Sequence, residues 1–256
     1  MNVTHSEQTV AQLTKKLRQQ RILSLILAIA LVFVGGAYTL LWNQTQNDAN
    51  PAQGDTAQVA DGGEQAATEP DLSAEPYMVL GKADAPVTIY EWTDYTCPYC
   101  GLYHRDTLPT IVKEYIDSGK VRLEVHDVTF IGEQAEDAAV AARAAGLQDR
   151  YFDYLFKVYG LSADGAKPNL DEKQLTDLAA ELDLDLDAFA KDFASEGLRQ
   201  EVQASTQQAQ QMGISGVPFF VVATSGTLTD SQQLNGAQEI DTFRQVIDQQ
   251  LESAGR

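Results

Sequence analysis

The stretch "APVTIYEWTDYTCPYC", residues 85–100, constrains the fold of this chain more than any other. Its first part, "APVTIYEW" (85–92), is dense in β-branched and aromatic residues and predicts a buried strand. Its second part holds Cys97 and Cys100, the two cysteines of the 256-residue chain, with Pro98 and Tyr99 between them. Pro98 fits the first turn of a helix, where a missing N–H costs nothing. A strand that runs through a short turn into a helix N-terminus calls for an α/β layer arrangement.

Several chemistries compete for a cysteine pair at this spacing. A structural zinc takes four protein ligands, often as two separated pairs. Here Cys97, Cys100 and His104 would need His126 recruited from the next strand, and there is no second cysteine pair. Haem attachment requires His directly after the second cysteine, and that position is Gly101. A static staple would close so short a loop that it removes little entropy from the unfolded chain. Thiol-disulfide exchange has the most physical support, because free amides and the helix dipole stabilise a thiolate at Cys97. Cys97 is then expected to be the exposed sulfur that attacks and is attacked, with Cys100 one turn deeper as the resolver. No metal or other cofactor is expected.

The sequence after the pair supplies the remaining elements. Leu102, Tyr103, Ile111, Val112, Tyr115 and Ile116 fall near helical spacing, with Pro109 expected to kink or interrupt the helix. "KVRLEVHDV" (120–128) alternates as a strand. From about 133 to 213 the pattern is helical and Ala-rich, then "PFFVVAT" (218–224) and "SQQLNG" (231–236) read as strands and 237–254 as a closing helix. The order predicts an α/β sheet interrupted by a helical insertion. There is no internal repeat and no Gly-rich phosphate loop.

Upstream, "ILSLILAIALVFVGGAYTLLW" (22–42) has no charged side chain. At about 1.5 Å per residue, roughly 20 helical residues cross a hydrocarbon core about 30 Å thick. A signal peptide's apolar core is shorter and ends at a small-residue cleavage site. Here the run continues through Leu40, Leu41 and Trp42, which predicts an uncleaved transmembrane anchor. Residues 1–21 carry Lys15, Lys16, Arg18 and Arg21 against Glu7, so this segment is expected in the cytoplasm. Residues 43–75 are poor in large apolar groups and are expected to form a flexible extracytoplasmic linker. A folded domain over 76–254 then lies where disulfides persist. The formal net charge of -19 argues against nucleic acid as a partner.

Three segments, "EWTDYTCPYC", "FIGEQAEDAAVAARAAGLQDRYFDYLF" and "GISGVPFFVV", in that order, resemble the bacterial DsbA-like thiol-disulfide oxidoreductases of the thioredoxin superfamily. The resemblance covers about residues 77–252, and membrane-tethered members of this kind suggest a Gram-positive bacterium. It implies a thioredoxin-like fold with an inserted helical domain. It also implies a cis-proline loop at Val217 and Pro218, which would set Pro218 beside the Cys97 sulfur and let the Val217 backbone pair with an extended substrate. Val217, Pro218, Pro98 and Tyr99 are the expected substrate-facing residues. The family's buried acid maps to Glu91, six residues before Cys97, as a proton acceptor for Cys100; Asp94 is the alternative.

The implied activity is the introduction of disulfides into exported proteins that carry cysteine thiols. Reoxidation would fall to a quinone-linked membrane partner, DsbB-like or vitamin K epoxide reductase-like. Pro-Tyr between the cysteines departs from the Pro-His of the best-known oxidases and also occurs in glutaredoxins and periplasmic isomerase relatives. A reductase or isomerase is therefore the nearest rival, and a non-catalytic binding or chaperone module the next. Those isomerases dimerise through an N-terminal folded domain where this chain has a spacer, which favours the oxidase. His104, Tyr95 and Trp92 read as packing or solvated positions.

Overall fold

The computed structural model describes residues 70–161 and 167–255. The expected anchor at 22–42 and most of the expected linker lie outside the described residues. Among the described residues no helix is long and apolar enough to cross a membrane.

The strand expected before the cysteines is β2 (Val87–Thr93), buried along its whole length. It lies at the centre of a five-stranded sheet of order β1-β3-β2-β4-β5. Its neighbours are β3 (Val121–Asp127), parallel, and β4 (Phe219–Thr224), antiparallel. The edges are β1 (Val79–Leu80), a short strand not anticipated from the sequence, and β5 (Gln232–Asn235). Alternation along β2 feeds two cores. Val87 and Ile89 point into the larger one, which also holds Cys97 and Cys100, whereas Tyr90 and Trp92 point into the smaller one on the other face.

Helical structure follows the cysteines in four successive pieces: α1 (Pro98–Leu102), a π-helical turn (Tyr103–Thr107), α2 (Leu108–Ile111) and a second π-helical turn (Val112–Ile116). The expected interruption is there, with Pro109 in the first turn of α2, directly after the first π turn. Such turns shift which side chains face the core.

Between β3 and β4 the chain forms α3 (Ala135–Gly146), α4 (Tyr151–Gly160), α5 (Glu172–Glu181), α6 (Leu186–Phe193) and α7 (Glu196–Gln211), the expected insertion. The last three start where Asp171, Asp185 and Ser195 accept hydrogen bonds from free first-turn amides. The Ala-rich α3 is buried almost all round. It is fastened to the sheet by Arg143, whose guanidinium donates to both Asp127 oxygens (2.8 and 2.9 Å) and to Glu201 of α7 (3.0 Å). Helix α8 (Ile240–Ala254) closes the larger core.

The packed chain begins before Pro76, where the sequence suggested spacer. Leu72 is buried in the smaller core, and the Ala74 amide donates to Glu124 Oε2 at 3.1 Å. Short apolar residues in a polar stretch gave little sign of this docking.

Candidate active site at the strand to helix junction

Cys97 is the N-cap of α1 and Pro98 its first residue, as the spacing predicts. The turn that carries them is built by Asp94. Its backbone oxygen accepts from the Cys97 amide (2.9 Å), and Oδ1 accepts from the Thr96 amide and hydroxyl (2.8 and 2.6 Å). Oδ2 accepts from the Phe130 and Ile131 amides (2.8 and 2.9 Å), so one buried carboxylate ties the cysteine turn to the loop after β3. That loop crosses Thr96 at Gly132, where a Cβ would lie 2.6 Å from the Thr96 hydroxyl oxygen. Four accepted bonds leave Asp94 no free lone pair suited to receiving a proton from Cys100.

The Val217–Pro218 peptide is cis and immediately precedes β4. The Cys97 thiol donates to the Val217 carbonyl across 3.6 Å, which brings residues 120 positions apart into one site. This contact corrects one expectation. Cys97 is not an exposed sulfur; it is only 2% accessible, because the turn and the proline loop close over it. Cys100 lies deeper still at 0%, and both cysteines are free thiols. Tyr99, by contrast, is 65% exposed at the mouth of the site.

The two thiols are pushed to opposite sides of an ordinary cysteine. Cys97 is lowered from 9.0 to about 7, chiefly by the hydrogen bond from the Cys100 side chain. Burial opposes that shift, the Cys100 and Tyr99 backbone amides support it, and the Asp94 charge opposes it. Cys100 is raised well above 9.0, first by burial and then by the hydrogen bond and charge of Cys97; the Asp94 backbone and the Thr93 hydroxyl act against this. The pair therefore gives up its first proton near neutral pH from the outer sulfur and keeps the second on the inner one. An outer thiolate is both a nucleophile and a good leaving group.

Glu91 occupies the middle of β2, on the face it shares with Val87 and Ile89, and is fully buried. Across the sheet it pairs with Val125 and Phe220. Its polar partner is His104, whose Nε2 lies 2.7 Å from Glu91 Oε1, both side chains inaccessible. Packing habits alone do not single out His104 from the sequence. The signal was its helical spacing after Cys97 and Cys100, which turns it toward the face that carries Glu91. Tyr95 and Trp92 are packing residues: Tyr95 stacks on Tyr159 and bonds the Tyr151 hydroxyl (2.9 Å), and Trp92 stacks on His126. Among the described residues no cluster of His, Cys, Asp and Glu is arranged to hold a metal ion.

The chain matches the thioredoxin family profile over residues 73–249. It is 30% identical over 176 residues to the "Probable disulfide bond formation protein D" of Bacillus anthracis, covering 67% of this chain and 77% of that protein. Against "Disulfide bond formation protein D" of Bacillus subtilis it is 26% identical over 193 residues, 74% of this chain and 83% of the other. Among solved structures, Wolbachia pipientis alpha-DsbA1 superposes with a TM-score of 0.62 at 25% identity, covering 69% of this chain and 92% of that one. Oxidised BdbD from Bacillus subtilis superposes with a TM-score of 0.58 at 27% identity over 68% and 92% of the two chains.

Proposed function

The chain belongs to the thioredoxin family as a DsbA-like thiol-disulfide oxidoreductase, and from that premise we propose that it introduces disulfide bonds into exported proteins through Cys97 and Cys100. The observation that carries this reading is the split between the two thiols, with Cys97 lowered to about 7 and Cys100 raised, directly beneath the Val217 carbonyl. A substrate thiolate attacks Cys97 in the Cys97–Cys100 disulfide, and Cys100 leaves. The resulting mixed disulfide is resolved by a second substrate thiolate, which expels Cys97 and leaves the enzyme as a dithiol. A leaving group near pH 7 favours that reduced product and so drives the substrate toward oxidation.

In this reading Glu91 receives and returns the Cys100 proton, since Asp94 is saturated by its four donors. The Val217 backbone, Pro218, Pro98 and the exposed Tyr99 form the surface that an extended substrate segment meets. The apolar run 22–42 anchors the chain with its N-terminus in the cytoplasm and the catalytic domain outside. A quinone-linked membrane oxidase, DsbB-like or vitamin K epoxide reductase-like, reoxidises the dithiol.

Refolding of a reduced, scrambled disulfide protein with catalytic amounts of the whole chain tests the reading. Native disulfides should accumulate faster in an oxidising buffer with wild type and not with Cys97→Ser. Acceleration only under reducing conditions would replace the oxidase by an isomerase or reductase. Equal rates with wild type and Cys97→Ser would leave a binding module.

A further inference from the structure

Three buried polar atoms beneath the cysteine pair have no hydrogen-bond partner among the described residues: Glu91 Oε2, His104 Nδ1 and the Tyr103 hydroxyl. Two of them belong to the inaccessible Glu91–His104 contact, and the Tyr103 ring lies 5.2 Å from the His104 ring. The buried pair elsewhere in this domain is different. Arg143 spends three guanidinium nitrogens on Asp127 and Glu201, and neither Asp127 oxygen is left over. That is how a structural ion pair offsets its desolvation. Glu91 and His104 instead keep one carboxylate oxygen and one ring nitrogen uncommitted, so the pair can gain or lose a proton without breaking the bond between them.

We propose that Glu91 and His104 act as one buried unit that holds a single exchangeable proton for Cys100, with His104 the positioning residue that aims Glu91 and shares that proton. The proposal rests on Cys97 and Cys100 being the redox pair.

Geometry connects the unit to the inner sulfur. The Thr93 hydroxyl stabilises the Cys100 thiolate and is bonded to the Tyr159 hydroxyl at 2.6 Å. The Tyr159 ring stacks on the His104 ring at 4.4 Å and 14°. The residues facing the unit from other elements include Val125 of β3, Phe220 of β4, and Phe156 and Tyr159 of α4, and the tyrosines beside it are Tyr95, Tyr103 and Tyr159. Burial holds these tyrosines well above the phenol range, so none of them stores the proton. The carboxylate and imidazole are the groups left to store it.

The proton balance follows the exchange cycle. When a substrate thiolate bonds to Cys97 Sγ, the Cys97–Cys100 bond breaks and its electron pair leaves on Cys100 Sγ. The buried thiolate takes the unit's proton, leaving a carboxylate beside a neutral imidazole for as long as the pair stays reduced. When the disulfide re-forms, Cys100 returns its proton to the unit and attacks as a thiolate. No oxidant enters this transfer beyond the one the exchange itself consumes.

Histidine-selective nitrogen-15 spectroscopy of the whole chain tests this, since the only histidines are His5, His104 and His126. The His104 ring nitrogens should show different protonation in the disulfide and dithiol forms, and Glu91→Gln should abolish the difference while His126 stays unchanged. In a second arm, Glu91→Gln and His104→Gln should each slow attack of a model dithiol on the enzyme disulfide by about tenfold, below the usual 10²–10⁴ of acid–base catalysis because a thiolate is a weak base. Residues acting as one unit give a double variant no slower than the slower single one. His104 signals that ignore redox state in an active wild type, or losses that multiply in the double variant, overturn the proposal alone. A wild type that never exchanges with the dithiol overturns the functional reading and this proposal with it. The spectra need no variant to fold, so a destabilised His104→Gln does not remove the test.

Discussion

Replacing Cys100 by Ala isolates what makes Cys97 acidic. In the native site the Cys97 thiol is lowered from 9.0 to about 7, and the Cys100 side chain is the largest contributor. Each pH unit is a tenfold change in the thiolate-to-thiol ratio, so at pH 7 about half of Cys97 is thiolate where an ordinary cysteine would show about 1%. In the variant the Cys100 and Tyr99 backbone amides remain as stabilisers, while burial and the Asp94 charge still oppose ionisation. The Cys97 midpoint should therefore rise by at least about one pH unit, and the thiolate fraction at pH 7 should fall to about one tenth. Alkylation by iodoacetamide follows that fraction and should slow about fivefold at pH 7. The thiolate's ultraviolet absorbance against pH gives the midpoint directly. A Cys100→Ala midpoint within a few tenths of wild type would refute the reasoning, and would move the effect to the amides of the first turn.

Three other perturbations follow from the same structure. Asp94→Asn should lower the Cys97 midpoint further, because the carboxylate charge opposes the thiolate; the absorbance titration reads this, and a raised midpoint would contradict it. Arg143→Met leaves Asp127 buried without its partner and should cost about 3–5 kcal/mol in denaturant unfolding, part of which Asp127→Asn restores in the double variant. His126 is lowered by burial from 6.5 to about 4, so between those values the unfolded chain binds more protons than the folded one. Stability should accordingly be lost as pH falls from 6.5 toward 4, by up to about 3 kcal/mol, and thermal melts of His126→Gln should show a shallower loss.

The elements with strong local signatures are legible in the sequence. The β-branched run of β2, the alternation of β3, the Ala-rich α3 and the proline at the start of α1 each fix their own geometry. Long-range proximity was legible only through the resemblance, because nothing local in "GVPFF" says that Val217 will meet Cys97. The burial of Cys97 is illegible in the sequence for the same reason, since its cover comes from a loop 120 residues away. Asp94 is a rival proton acceptor on sequence alone, and only the loop after β3 shows that its oxygens are already taken. His104 illustrates the other limit. Its spacing placed it on a helix face, but whether that face meets water or a carboxylate depends on strand alternation and a π turn.

The equilibrium reduction potential of the Cys97–Cys100 couple against glutathione tests most directly whether the pair hands its disulfide to substrates. Stabilisation of the Cys97 thiolate favours the dithiol form, so the potential should lie well above the about -270 mV of thioredoxin and toward the about -120 mV of DsbA. A value at or below that of thioredoxin would contradict the account and make the pair a reductant.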